Sequence, residues 1–330
     1  MKKVTIYEVA KESNVSLATV SRVINGSTAV KEETKRKVEE AINKLGYRPN
    51  AIAQGLALSR TTTVGLIIPA TCISFSGRVI NGLCDVAKIY DYSVYLHTIT
   101  EGVTDIKEII DEVIKARVDG VIIYADKDLD DSIKLLEEYN IPIVVMGNRI
   151  SSDNICSVYV DYEKAAFEIC DTYLNKGIKD IAILQDHRND VISESMRKGA
   201  CTAFKKHKLD YKGYIEVSKD NRSTYKYLKS YFKTHKHQLF VANRDSQALA
   251  ALNAAAGHGI SIPDEMELIC MNESKYTSSV RPEISSFNVP TYDLGAVSMR
   301  LMTKMLKEEK VEEKEKCLDI IFSPKDTTKE

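Results

Sequence analysis

The first sixty residues alternate short amphipathic stretches with polar breaks, and each stretch has a helical period. Ile6, Val9 and Ala10 recur at helical spacing behind Thr5 and Glu8, a capping-box pair that marks a helix start. This helix is expected to run out at Ser13-Asn14. Val15 then turns back to the core, and Ser16 caps a second helix over Leu17 to Asn25 that Gly26 ends. A third helix is expected from Glu32 to Leu45. Val38, Ala41, Ile42 and Leu45 make its buried face, Gly46 stops it and Pro49 prevents its resumption. The short linker between the first two helices, with small Ala10 near the crossing, predicts a helix-turn-helix.

From residue 61 the period changes. Short apolar runs read as strands: Thr63–Pro69, Ser93–Thr98, Val121–Tyr124, Pro142–Met146, Ser157–Val160, Asp180–Leu184, Gln238–Ala242 and Glu267–Met271. Helical patterns separate them, among them Ile106–Arg117, Asp128–Tyr139, Tyr162–Lys176 and Asp245–His258. Alternating strand and helix units predict parallel sheets with right-handed crossovers. There are more units than one doubly wound domain uses, so two lobes with a cleft between them are expected, the break falling near Asp161-Tyr162. The predicted fold class is an all-α helix-turn-helix head followed by a two-lobed α/β body.

Composition excludes a disordered chain: 44% of residues are hydrophobic and 28% charged. No run of apolar residues is long enough for a membrane span. Met1-Lys2-Lys3 is basic, but Glu8, Lys11 and Glu12 break up the stretch behind it, so no secretion signal is expected. The seven cysteines are scattered without a C-x-x-C and read as reduced thiols of a cytoplasmic protein. Charge is uneven. Residues 1–60 hold 11 Lys and Arg against 6 Asp and Glu, while the whole chain has a net charge of −1. A basic head on a mildly acidic body suits a head that meets a polyanion.

The second helix sharpens this. Its exposed positions are expected to be Leu17, Ala18, Thr19, Ser21 and Arg22, small or hydrogen-bonding side chains that fit a major groove, with Arg22 able to fork onto guanine. A purely solvated face would carry Lys and Glu, as the third helix does. Residues 50–57 have one or two turns of weak helix-forming sequence capped by Asn50: either a plain linker or a hinge that orders on DNA. Enzyme chemistry is not expected. The six histidines show no metal-ligand spacing, His235-Lys236-His237 reads as solvated surface, and no nucleophile elbow or phosphate loop is present. The acidic run Asp126, Asp128, Asp130 and Asp131 lacks the glycine and terminal glutamate of a calcium loop.

The stretch VTIYEVAKESNVSLATVSRVINGSTAVKEETKRKVEEAINKLGYRPNAIAQGLA resembles the head of the lactose-repressor (LacI) family almost throughout. The resemblance implies that Ser16, Leu17, Ala18, Thr19, Ser21 and Arg22, with Thr5, lie on operator DNA. It also implies a hinge helix over 50–58 that contacts the minor groove through Asn50, Ala53 and Leu56, with Leu56 wedging a base step. The body is similar to the periplasmic-binding-protein-like core of the same family. That core implies a first lobe of residues 61–161 and 290–322 and a second of 162–289 and 323–330. It further implies a homodimer on a pseudo-palindromic operator, the tail here lacking a leucine repeat for further assembly.

Against the family's ligand-contact motifs the sequence departs. Asn148 beside Arg149 stands where aspartate is usual, Met196 where arginine is usual, Arg244-Asp245 where the motif has Asn-Asp, and Asn272 where aspartate is usual. Either a different ligand is bound by different residues, or the cleft is released from sugar binding. Val289–Lys304 and Ser157–Ala166 resemble one branch of the family, the catabolite-control regulators of Gram-positive bacteria. There the corepressor is the phosphocarrier protein HPr phosphorylated on a serine. Matching positions here are Asp85, Tyr90, Tyr292, Asp293, Arg300 and Lys304. Tyr292, Ala296 and Arg300 fall on one helix face, and Arg300 and Lys304 form a cationic i, i+4 pair suited to a phosphoserine. The alternative is that these residues merely solvate a helix. The expected function is thus an operator-binding repressor without cofactor or metal, controlled by phosphorylated HPr or, alternatively, by a small sugar or nucleoside in the cleft. A solute-binding protein is the third possibility, and the head argues against it.

Overall fold

The computed structural model describes residues 4–24, 29–48, 61–70, 73–100, 105–124, 130–186, 191–218 and 220–329. The chain divides into two compact units, Met1–Thr62 and Thr63–Glu330.

In the first unit, α1 covers Ile6–Ser13, α2 Leu17–Ile24 and α3 Glu32–Leu45. The amide of Thr5 donates to the Glu8 carboxylate at 2.7 Å, the reciprocal half of the expected capping box. Asn14, in the left-handed region at φ 54°, ends α1, and Val15 then donates its amide to Ala10. The Ser16 hydroxyl accepts from the Thr19 amide at 3.2 Å and so caps α2. Gly46 closes α3 at φ 62°, a conformation glycine adopts without a Cβ penalty. Val9, Val20, Val38 and Ala41 are buried at the centre, with Ile42 and Leu45 half-buried beside them.

The second unit holds two six-stranded sheets. Strands β1 (Thr63–Pro69), β2 (Ser93–Ile99), β3 (Gly120–Tyr124), β4 (Ile143–Met146), β5 (Ile155–Val160) and β11 (Glu315–Leu318) form the first, in the order β11-β5-β4-β3-β1-β2. Strands β6 (Ile181–Asp186), β7 (Tyr214–Val217), β8 (Leu239–Ala242), β9 (Glu267–Cys270), β10 (Ser285–Asn288) and β12 (Ile321–Ser323) form the second, in the order β12-β10-β9-β8-β6-β7. Neighbours run parallel except for antiparallel β12 on β10. Helices cover both faces: α4 (Ile73–Ile89), α5 (Ile106–Lys115), α6 (Asp130–Glu138) and α12 (Thr291–Leu306) on the first sheet, α7 (Tyr162–Asn175), α8 (Val191–Lys206), α9 (Asn221–Tyr231) and α10 (Asp245–Ala256) on the second. A short α11 (Lys275–Ser279) comes after β9.

Side-chain alternation explains the double cover. In β3, Ile122 and Tyr124 point to the core under α4 and α12, while Val121 and Ile123 point to the core under α5 and α6. Both faces are apolar, so the strands read as continuous hydrophobic runs. The first sheet regains the chain late, at α12 and β11, and the chain crosses again before Ile321. The return segment expected to reach residue 322 therefore leaves the first sheet after Leu318, because β12 already pairs with β10.

Each lobe contains one helix pair that packs backbone against backbone. A Cβ on Gly295 of α12 would overlap the Val79 carbonyl oxygen of α4, and one on Gly82 of α4 would overlap the Tyr292 carbonyl oxygen. In the second lobe a Cβ on Gly199 of α8 would overlap the Glu163 carbonyl oxygen of α7. No side chain can move aside to relieve such a contact, so the helices themselves would have to separate. Gly295→Ala is expected to lower unfolding stability by about 3 kcal/mol, the upper part of the overpacking range. Gly77→Ala, in the same helix pair but with nothing within 4 Å of the added carbon, should be neutral or stabilising by up to about 1 kcal/mol. Denaturant unfolding of the two variants checks this, and equal stabilities would overturn the contact.

Candidate functional site

On the head, α2 buries Val20 and turns Leu17, Ala18 and Arg22 to solvent, Leu17 at 37% exposure. Thr19 and Ser21 are half-buried. The Ser16 and Thr19 hydroxyls lie 2.8 Å apart, both at the N-terminus of the helix, where free amides favour an anion. Thr5 is exposed at the N-terminus of α1. Arg22 has no carboxylate within ion-pair reach among the described residues. The contrast with α3 is sharp. There Lys35 faces Glu32, Arg36 faces Glu40 and Lys37 faces Glu33, so the cations are neutralised within the helix. Tyr7 of α1 is 70% exposed, an aromatic that the helical pattern places outside the core without saying why. Asn50, Ala53 and Leu56 lie outside the described residues.

The close crossing of α4 and α12 builds a second surface. Asp85 on α4 and Tyr292, Asp293, Arg300 and Lys304 on α12 are all exposed, as is Tyr90 just past α4. The Tyr292 hydroxyl donates to the Asp85 carboxylate at 3.0 Å. That hydrogen bond raises the Tyr292 phenol above its ordinary pKa, and the positive charge of Arg300 acts in the opposite direction. Asp85, Tyr292 and Arg300 thus share one electrostatic neighbourhood. Ala296, expected on the same exposed face, is instead 3% exposed, because at this point the α12 backbone lies against Gly82. Lys307, which no sequence motif marks, sets its ammonium 4.6 Å from the centre of the Tyr90 ring. Its position beyond the end of α12 gives it no helical period by which to be found.

The third region is a cleft of about 540 Å³, whose walls include Asn148, Arg149, Tyr159, Asp161, Lys164 and Ser195. Asn148 and Arg149 lie just past the carboxyl end of β4, where open α/β sheets place ligands. Arg149 is already engaged: its Nε donates to Glu315 at 2.6 Å and its guanidinium lies 6.0 Å from the Tyr159 ring centre. Ser151 and Arg149 hold the Glu315 carboxyl below its usual range. Arg244 and Asp245 come after β8 and Asn272 after β9, again at carboxyl ends of strands. The Asp245 carboxylate accepts from the Ser246 amide at the start of α10. The side-chain oxygen of Asn272 is buried without a hydrogen-bond partner among the described residues. Met196 departs from expectation. It is 1% exposed and packs in the second lobe's core with Ala165, Ala166 and Ile169 of α7, because α8 presses that face onto α7 at Gly199. It is a core position, not a cleft contact.

Among the described residues, no group of three His, Cys, Asp or Glu side chains is placed to hold a metal ion, and no helix is long and apolar enough to cross a membrane.

Residues 5–50 match the family of bacterial regulatory proteins of the lacI type, and residues 170–328 match the periplasmic binding protein-like domain. The chain is 35% identical to catabolite control protein A of Staphylococcus xylosus over 331 residues, covering 99% of each. It is 36% identical over 329 residues to the protein of that name from Staphylococcus aureus, again covering 99% of each. Among solved structures, the transcription regulator CcpA of Lactococcus lactis superposes with a TM-score of 0.72 at 28% identity, over 82% of this chain and 100% of the other. The lac repressor dimer bound to operator and an anti-inducer superposes with a TM-score of 0.87 over 99% of both chains, and at 20% identity this likeness is one of fold. With a helix-turn-helix head, a two-lobed body and full-length relatives that are regulators rather than enzymes, this chain belongs to the LacI family and is a DNA-binding regulator of transcription, not an enzyme.

Proposed function

We propose that the chain is a catabolite-control regulator of the cytoplasm that binds a pseudo-palindromic operator as a homodimer. Serine-phosphorylated HPr, docked on α4 and α12, sets its operator affinity. The observation that carries the reading is the cationic pair Arg300 and Lys304, one turn apart on an exposed helix face. Among the described residues neither meets a carboxylate within ion-pair reach, and Tyr292 with Asp85 lies at the other end of the same face. Like charges at i, i+4 repel by a few tenths of a kcal/mol. A phosphoserine with about −1.5 to −2 charges removes that repulsion and gains charge-assisted hydrogen bonds. Tyr292 and Tyr90 supply the apolar contact area that interface aromatics provide.

On the operator, Arg22 forks onto a base edge. Leu17, Ala18 and Ser21 fill the major groove, and Thr5, Ser16 and Thr19 hold phosphates at the helix N-termini. Asn50 and Ala53 track the minor groove and Leu56 wedges a base step, bending the duplex. Two heads about one helical turn apart read the two half-sites.

A second reading has one observation in its favour. The orphan oxygen of Asn272, at the carboxyl end of β9, suits a hydroxylated ligand such as a sugar or nucleoside, with Asn148, Arg149, Arg244 and Asp245 as further contacts. Titrating operator affinity with phosphorylated HPr, beside a panel of sugar phosphates and nucleosides, separates the two.

Arg22→Ala is expected to cost about 1–3 kcal/mol of specific operator binding and to relax base preference at one position per half-site. Binding to a randomised operator pool measures both, and an unchanged preference would remove α2 from the groove. Arg300→Glu is expected to abolish the gain in operator affinity that phosphorylated HPr produces, with basal binding near wild type. A melting curve controls for folding. Equal stimulation of variant and wild type would exclude the phosphate role of Arg300; stimulation of neither would exclude HPr as the corepressor.

A further inference from the structure

Helix α9 carries an exposed surface that neither operator binding nor HPr docking uses. Residues 221–244 contain six cations, Arg222, Lys226, Lys229, Lys233, Lys236 and Arg244, and no Asp or Glu. Four of them, Arg222, Lys226, Lys229 and Lys233, succeed one another at spacings of four, three and four. Arg222, Lys226 and Lys229 make one stripe along α9, about 10 Å at 1.5 Å per residue, and Lys233 continues it in the turn two residues past the helix end. All four are exposed, and none meets a carboxylate within ion-pair reach among the described residues.

A ladder of rings flanks the stripe. Tyr231 stacks on Tyr227 at 5.9 Å and 23°, and on His235 at 4.3 Å and 13°. Tyr227 is 47% exposed and His235 is exposed, so the ladder ends on both sides in solvent. The rings are fixed from beneath. The Tyr231 hydroxyl and His237 Nε2 are 2.7 Å apart, and His237 Nδ1 lies 2.5 Å from the Asp180 carboxylate at the foot of β6. The Thr234 hydroxyl meets His235 Nδ1 at 2.8 Å. His237 is therefore half-buried and engaged, not the solvated surface residue its sequence context predicts. The acids around the stripe are engaged: Asp220, the N-cap of α9, accepts from the Ser223 amide and the Ser218 hydroxyl, Asp180 pairs with His237 and Glu265 with Lys236.

We propose that this face of α9 and the turn after it bind single-stranded nucleic acid, the phosphates lying along Arg222, Lys226, Lys229 and Lys233 and bases stacking on the outer rings of Tyr227 and His235. Repeated like charge without counter-charge is unfavourable along a helix and is relieved by an external polyanion. An acidic protein segment would relieve it equally, but it has no use for parallel rings. Bases do, and only unpaired bases present a free face. A duplex keeps its bases stacked on one another and offers phosphates alone.

The test uses the full-length protein saturated with operator duplex, so that the head is occupied. Fluorescein-labelled oligouridine and oligothymidine, each about twelve nucleotides long to span the stripe, are tracked by anisotropy. Binding is expected to persist with operator bound, and its logarithm to fall against log salt with a slope of about −2 to −3, as three or four phosphate contacts require. Lys226→Glu with Lys233→Glu should weaken it at least tenfold. Tyr227→Ala should weaken it fivefold or more, as loss of one stacked base does, whereas Tyr227→Phe should bind as wild type. These residues are exposed, and thermal melts equal to wild type confirm that the fold is intact. The proposal is overturned if the charge reversals leave binding unchanged, if a duplex of the same length binds this face as tightly, or if Tyr227→Ala is silent while a polyglutamate peptide displaces the oligonucleotide, the last result assigning the face to an acidic protein.

Discussion

The absence of side-chain volume where α4 crosses α12 is the constraint on which the first lobe depends. Gly82 and Gly295 let two helix backbones touch, although their residues are more than two hundred positions apart in the chain. This contact brings the returning segment onto the lobe before β11 can join the edge of the first sheet. It also fixes which α12 residues face out. With Gly295 and Ala296 pressed against α4, the exposed positions are Tyr292, Asp293, Arg300 and Lys304, and the α4 partner of Tyr292 is Asp85. The second lobe repeats the device with Gly199 against the Glu163 carbonyl. A proposed corepressor face and the core beneath it are two sides of one packing arrangement.

Energetically the two units differ in kind. Among its described residues the head buries four apolar side chains, Val9, Val20, Val38 and Ala41, and leans on local devices: the Glu8 bond to the Thr5 amide, the Ser16 cap, left-handed Asn14 and Gly46. Small cores are marginal, so such caps, worth about 1 kcal/mol each, are a large share of its stability. Among the described residues the body has four separate apolar clusters, two per sheet. Its C-terminal tail is bound in as well. Thr327 is fully buried, donates to the Leu268 carbonyl at 2.6 Å and accepts from the Ser285 amide at 2.8 Å.

The helices and parallel strands with strong periods were legible in the sequence: β1 and α3 match their expected bounds and most others shift only at the ends. Four strands were not. β7, β11 and β12 lie at sheet edges, with half-exposed, mixed residues such as Glu315 and Lys316, and β10 opens on two serines that are buried, the first of them hydrogen-bonded to Thr327 and Thr328. Such segments take their structure from tertiary pairing, not local preference. The site obeyed the same rule. On α2 the outward positions Leu17, Ala18 and Arg22 were readable from one helix alone, whereas Thr19 and Ser21, expected exposed as well, are half-buried. Met196 and Ala296 were not readable, because their burial depends on close helix crossings at glycines, and Lys307 was missed because its contact with Tyr90 joins two chain segments.

A net charge near zero conceals how this chain distributes its cations. On α3, Lys35, Arg36 and Lys37 each face an acid one turn away, and exposed pairs of this sort contribute little to stability. Arg22, the pair Arg300 and Lys304, and the α9 stripe are built the other way, with no carboxylate in reach among the described residues. Leaving a cation unpaired costs little in water, but repeating it at helical spacing costs a little each time and yields nothing within the folded chain. The three surfaces differ in what surrounds the charge: small groove-filling side chains around Arg22, a tyrosine held by an aspartate near Arg300, and parallel rings beside the α9 stripe. Charge alone makes each an anion surface, while the neighbouring side chains determine which anion fits, and in the readings proposed above that division separates a duplex, a phosphoprotein and a single strand.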